Sequence, residues 1–132
     1  MSAVFKKLNL GEHPQVLILN APDSFEPELA TLRGVKVLQS LSAAKVTFAL
    51  AFVTKQAELD RVSKSLVTRA DGDALLWIAY PKGSSKRYTC DFNRDTGWGV
   101  LKGAGFDTVR MVAIDADWSA VRFRRNEFIS RR

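Results

Sequence analysis

Apolar residues in this chain gather into short runs, at residues 16–19, 35–38 (around Lys36), 46–53 (around Thr47), 74–80 and 108–114 (around Arg110). Runs that do not alternate with polar residues read as strands covered on both faces. Between them the period changes. Ser24 is placed to cap a short helix over residues 25–32, with Glu26 and Pro27 in its first turn and Gly34 as its stop. Thr54 is placed to cap a second helix, in which Leu59, Val62, Leu66 and Val67 fall at i, i+3, i+7 and i+8. Lys55, Glu58, Asp60, Arg61 and Lys64 take its other side, and Asp71-Gly72-Asp73 reads as stop and turn. Pro81 ends the fourth strand because it cannot donate to a central ladder. Asn93 or Asp95 then caps a short helix through Trp98, Val100 and Leu101, closed by Gly103 or Gly105. Asp115-Ala116-Asp117 turns the chain into a sixth, antiparallel strand. Trp118, Ala120 and Arg122 fall on one face of that strand, and Ser119, Val121 and Phe123 on the other. Alternating strands and helices imply right-handed crossovers. The expected fold is therefore α/β: a three-layer, mostly parallel sheet of about six strands, with helices on both faces and a final antiparallel strand, Rossmann-like and truncated.

Composition narrows the class. The 132 residues are 46% apolar and 26% charged, which excludes disorder for the body of the chain. The length fits a single domain over residues 1–132, with 1–14 a loose N-terminal arm and 124–132 a basic tail. A single Cys90 excludes a disulfide scaffold, fits a reducing cytoplasm and, with the lone His13, leaves no zinc-type ligand set. No apolar run reaches the ~18 residues of a membrane span, and residues 1–8 have no signal-peptide core, so no membrane partner is expected.

Net charge is +6, and its distribution matters more than its size. Arg122, Arg124, Arg125, Arg131 and Arg132 against Glu127 hold +4 of it. This segment is either a solvated strand edge and tail or a weak nucleic-acid contact, with Phe123 and Phe128 free to stack or to be buried.

In order, strand 46–53, a helix to Val67, the Asp-Gly turn, strand 75–80, a helix to Leu101, strand 109–114 and returning strand 118–123 resemble the C-terminal half of Rossmann-like S-adenosylmethionine-dependent methyltransferases. The segments VLILNAP, LLWIAYPKGSSK, DFNRDTGW and VAIDADWSAVRFR are more closely similar to a family of small bacterial proteins with no assigned activity, over residues 15–125. That family carries a Tyr-Pro-Lys loop, an Arg-Asp segment and a final Trp-Ser-x-x-Arg-Phe element. The resemblance implies a fold more than an activity. Methyltransferases hold their cofactor with a glycine-rich turn after the first strand and an acid at the end of the second. Here the first strand ends Asn20-Ala21-Pro22-Asp23-Ser24 and the second Leu38-Gln39-Ser40. The cofactor half is absent or rebuilt. No cofactor is predicted, and neither S-adenosylmethionine binding nor methyl transfer is expected.

Ligands of parallel sheets bind at the carboxyl ends of the strands. Asn20, Thr54, Tyr80 and Asp115 mark that edge, and a polar loop rises from it. Lys82, Ser84, Ser85, Lys86 and Arg87, with Gly83 to turn the backbone, suit a phosphate or carboxylate, although a solvated loop has the same composition. Asp91, Arg94 and Asp95 either line the site or supply a cap and a surface ion pair. Asp115 and Asp117 either do acid–base work or hold the turn, and Asp115, nearest the edge, is the first choice for a pocket acid. Nothing joins Cys90 to His13 in a dyad, and Trp77 and Trp98 read as core. The Gly97–Gly103 string fails as a dinucleotide fingerprint because it follows no strand.

The candidate ligand residues are thus Asn20, Tyr80, Lys82, Ser84, Ser85, Lys86, Arg94 and Asp115, with no metal site and no assigned catalytic set. The leading expectation is a non-catalytic domain that binds an anionic small molecule or a protein at this edge. The alternatives are an enzyme of unrecognised chemistry using Lys82 or Asp115, and weak nucleic-acid binding through the arginine-rich end.

Overall fold

The computed structural model describes residues 2–40, 45–92 and 97–129. Six strands form one sheet: β1 (Gln15–Leu19), β2 (Lys36–Leu38), β3 (Val46–Phe52), β4 (Ala70–Pro81), β5 (Phe106–Ala113) and β6 (Trp118–Arg125). Their order is β2-β1-β3-β4-β6-β5. The first four run parallel, and β6 lies antiparallel between β4 and β5. This is the expected α/β architecture. It sends the carboxyl ends of β1, β3, β4 and β5 and the start of β6 to one rim.

The side chains of β3 explain which cover each face receives. Ala49 and Ala51, with Val53 just after the strand, face one way, and these small residues let the 14-residue helix α3 (Gln56–Arg69) pack close with Leu59, Val62 and Leu66. Helix α4 (Gly99–Gly103) joins this layer through Leu101, with Trp98 beside it. Phe48, Leu50 and Phe52 face the other way, beside Trp77 of β4. There the cover is thin, consisting of helix α1 (Ala3–Lys7) and a short 3-10 turn, Asp23–Phe25, that runs into the single turn of α2 (Glu26–Leu29). Large strand residues fill the volume that the short helices leave.

Four local expectations need correction. Residues 2–14 are not a loose arm: Ser2 caps α1 by accepting from the Phe5 amide, and Phe5, Leu8 and Leu10 are fully buried. The Trp77 indole donates to the Leu8 carbonyl at 2.9 Å, and the Ser2 amide donates to the Thr31 hydroxyl at 3.1 Å. Ser24 is not a cap, because the 3-10 turn starts from Pro22 with no side-chain cap. Nor does Thr54 cap α3. Its amide donates to Glu58 at 3.0 Å, and the Asp91 carboxylate takes the Gln56 amide at 2.6 Å, so the loop after β4 supplies the cap. Residues 71–73 belong to β4 rather than to a turn, which needs a positive φ only at Gly72. Asn93 and Asp95 lie outside the described residues.

Candidate functional site

The loop after β4 and the turn between β5 and β6 are stitched together at the rim. The Lys82 amide donates to the Asp117 carbonyl at 2.8 Å. The Ser85 hydroxyl donates to the Asp117 carboxylate at 2.9 Å and accepts from the Arg87 and Tyr88 amides. The Asp115 carboxylate accepts from the Asp117 and Trp118 amides at 2.8 and 2.9 Å. Tyr88 packs on Trp118 with ring centres 4.9 Å apart, and the Arg87 guanidinium lies 5.5 Å from the Tyr88 ring centre. Short-range polar bonds therefore fix a loop whose composition alone reads as mobile.

Cavities open on either side of this loop, and Tyr88 lines both. The first, about 540 Å³, is walled by Tyr80, Tyr88, Phe92, Cys90 and Met111, with Lys82 and Ser119 also lining it. Its lining includes one lysine and no Arg, Asp or Glu among the described residues. The Lys82 side chain has no hydrogen-bond or ion-pair partner among the described residues. Behind the cavity wall, Tyr80, Phe92 and Trp98 form an aromatic cluster with ring centres 5.7–6.3 Å apart. The second cavity, about 410 Å³, lies between the β1 turn and the loop and is lined by Asn20, Asp23, Thr54, Glu58, Arg87 and Trp118, among others.

These positions sort the residues singled out in the sequence. Tyr80 and Lys82 share the first cavity, and Asn20 lines the second. Ser85 lines the first cavity, but its hydroxyl is committed to holding the loop. Asp115 is exposed, lines neither cavity and serves the turn amides, because the tight β5–β6 connection needs an acceptor there. Ser84 and Lys86 are exposed and line neither cavity, and Arg94 lies outside the described residues. Sequence reasoning missed Tyr88, Cys90 and Met111 as wall residues. The only available signal was that Tyr88 and Cys90 follow the lysine loop, and Met111 comes from a strand far along the chain. Cys90 donates to the Phe92 carbonyl at 3.0 Å, while His13 sits against Phe48 with its ring nitrogen on the Leu10 carbonyl, so the two form no dyad.

The β6 arginines sit at the opposite pole. Arg124 forks onto Asp73, with N–O distances of 2.9 and 2.6 Å. Arg125 donates to the Ala70 and Gly72 carbonyls and lies over the Phe106 ring. The hydrogen bond from Arg124 holds the Asp73 carboxyl below its ordinary value, with help from the nearby charges of Arg124 and Arg122 and against a smaller opposing effect of burial. A carboxyl depressed on folding contributes stability above its unfolded value of ~3.9 and loses it as pH falls through the lower folded value. Asp73→Asn is therefore expected to lower the urea midpoint slightly at neutral pH, where an exposed pair is worth little. The gap from the native chain should close once pH drops below the carboxylate range. A gap unchanged at acid pH would contradict this assignment.

Strand order, helix placement and the antiparallel β6 together define the fold of the S-adenosylmethionine-dependent methyltransferases. The chain superposes on such an enzyme from Aquifex aeolicus with a TM-score of 0.58 at 18% identity, covering 92% of this chain and 87% of that one. Magnesium protoporphyrin IX methyltransferase from Synechocystis, with bound S-adenosylhomocysteine, gives a TM-score of 0.58 at 12% identity over 92% and 79%. The N-methyltransferase NodS from Bradyrhizobium japonicum gives 0.55 at 13% identity over 92% of each chain. No family model and no curated protein sequence matches the chain. At these identities the likeness is one of fold.

The residues after β1 do not fit the cofactor that this fold implies. Cofactor-binding turns present bare backbone amides to the ligand. Here Asn20 takes the left-handed conformation with φ 59° and carries a side chain, and Pro22 has no amide hydrogen to offer. β2 is a three-residue, half-exposed strand followed by Gln39 and Ser40, without an acid for a ribose.

Proposed function

We propose that this chain is a non-catalytic binding domain on a methyltransferase-type frame, and that it takes a small anionic molecule in the first cavity with its charge at Lys82. The observation that carries this reading is the cavity's lining: one lysine without a partner among the described residues, and no carboxylate to compete for it. A volume of about 540 Å³ suits a small ligand. The non-catalytic half is supported by the state of the candidate nucleophiles. The Ser85 hydroxyl is held by the Asp117 carboxylate and two amides as part of the loop, Cys90 donates to a carbonyl, and His13 lies against Phe48, so neither group has a histidine to activate it. The nucleic-acid reading gains nothing, since Arg124 and Arg125 are engaged by their own chain.

The test is calorimetric titration of benzoate into the native chain and Lys82→Ala. A charge-assisted bond contributes about 1.5–3 kcal/mol, so the variant is expected to bind roughly tenfold more weakly or worse. Equal affinity for both proteins, or no binding of benzoate or inorganic phosphate by the native chain, would overturn the proposal.

A further inference from the structure

The walls of the first cavity say more than its charge does. We infer that its ligand is a planar aromatic monocarboxylate, with its ring against Tyr80, Tyr88 and Phe92 and its carboxylate at Lys82. This rests on the anion-binding reading above and adds the chemistry of the rest of the molecule. Three aromatic side chains and two sulfur-bearing ones, Cys90 and Met111, supply the wall. The aromatic surfaces are held in advance. Tyr80 and Phe92 are 9% and 8% exposed and backed by Trp98, and Tyr88 is held by Trp118. A rigid wall takes a flat ring without the ordering cost of gathering flexible side chains.

Met111 is one of three large apolar residues left exposed among the described residues, with Val109 and Phe128, and of these it lines the cavity. It is 45% exposed on the edge strand β5, with its sulfur 3.6 Å from the Tyr80 hydroxyl, so a soft apolar group lies open beside the aromatic wall. Thioether sulfur packs well against aromatic rings. Charge sets the head group. One lysine balances a singly charged carboxylate, whereas a phosphate monoester near −2 wants further cations. Of the loop's other cations, Lys86 lines neither cavity and Arg87 lines the second.

Calorimetry on the whole chain with four probes tests this. 2-Naphthoate is expected to bind most tightly. Decahydronaphthalene-2-carboxylate, with the same charge and no π system, should bind about fivefold more weakly. 2-Naphthalenemethanol, with the ring and no charge, should bind about tenfold more weakly. Inorganic phosphate should not compete. Equal affinity for the saturated and aromatic acids overturns the ring assignment but leaves the anion reading standing, as does phosphate binding without naphthoate binding. Equal affinity for the alcohol and the acid overturns both. Met111→Glu places a carboxylate at the wall from an exposed strand position. It should keep the native unfolding midpoint while losing more than tenfold in naphthoate affinity, and undiminished affinity would count against this cavity as the seat of the ring.

Discussion

Replacing Trp77 with alanine is expected to destabilise the fold by about 3–5 kcal/mol, the range for emptying a buried aromatic site. Trp77 is fully buried in β4, between β3 and β6, and fills the face that the short helices cover thinly. Its indole also holds the Leu8 carbonyl at 2.9 Å. Trp77→Phe keeps most of the apolar volume but leaves that carbonyl without its donor, at a cost of about 1–3 kcal/mol. Trp118 provides the contrast. It is 3% exposed and its indole nitrogen has no partner among the described residues, so Trp118→Phe removes an unmet donor and should cost less than Trp77→Phe. Urea unfolding of the three variants measures this order. Equal losses for the two phenylalanine variants would show that the Leu8 bond contributes nothing.

Deleting residues 2–10 should be as damaging. Phe5, Leu8 and Leu10 are each fully buried, and such side chains contribute about 1.5–3 kcal/mol apiece. Their combined loss approaches the whole stability of an ordinary domain, ~5–15 kcal/mol. The deletion also uncovers Phe48, Phe52 and Trp77, which pack in the same cluster. The shortened chain is expected to lose its cooperative urea transition. Retention of the native midpoint would mean that the segment is dispensable after all.

That segment also marks where the sequence stopped being legible. Strands β1, β3 and β4 could be read because each holds a dense apolar run, and the faces of β6 followed from simple alternation. Helix α3 showed its stripe from Leu59 to Val67, about two and a half turns. Helix α1 has five residues and places Lys6 and Lys7 among its apolar positions, so no periodicity can declare it. Its burial is decided by bulky β3 and β4 residues far along the chain. The same holds for the caps. Thr54 is a good cap by type, but Asp91 takes the Gln56 amide from a loop 35 residues beyond it.

At the rim, strand direction placed the lysine loop beside the aspartate turn, and the Ser85–Asp117 bond joins them. Which groups stayed available to a ligand could not be read, because hydrogen bonding spent Ser85 and Asp115 on the loop and turn themselves. Lys82 was left over by that accounting, and the aromatic wall around it comes from residues 80–92, completed by Met111 of β5 and Ser119 of β6.

Amide chemical-shift mapping of the isotopically labelled full chain, titrated with 2-naphthoate, locates the binding site. The shifts are predicted to centre on Tyr80, Lys82, Thr89, Cys90 and Ser119, around the first cavity. Shifts centred instead on Asn20, Asp23 and Thr54, or none at saturating ligand, would contradict the placement of the ligand at Lys82.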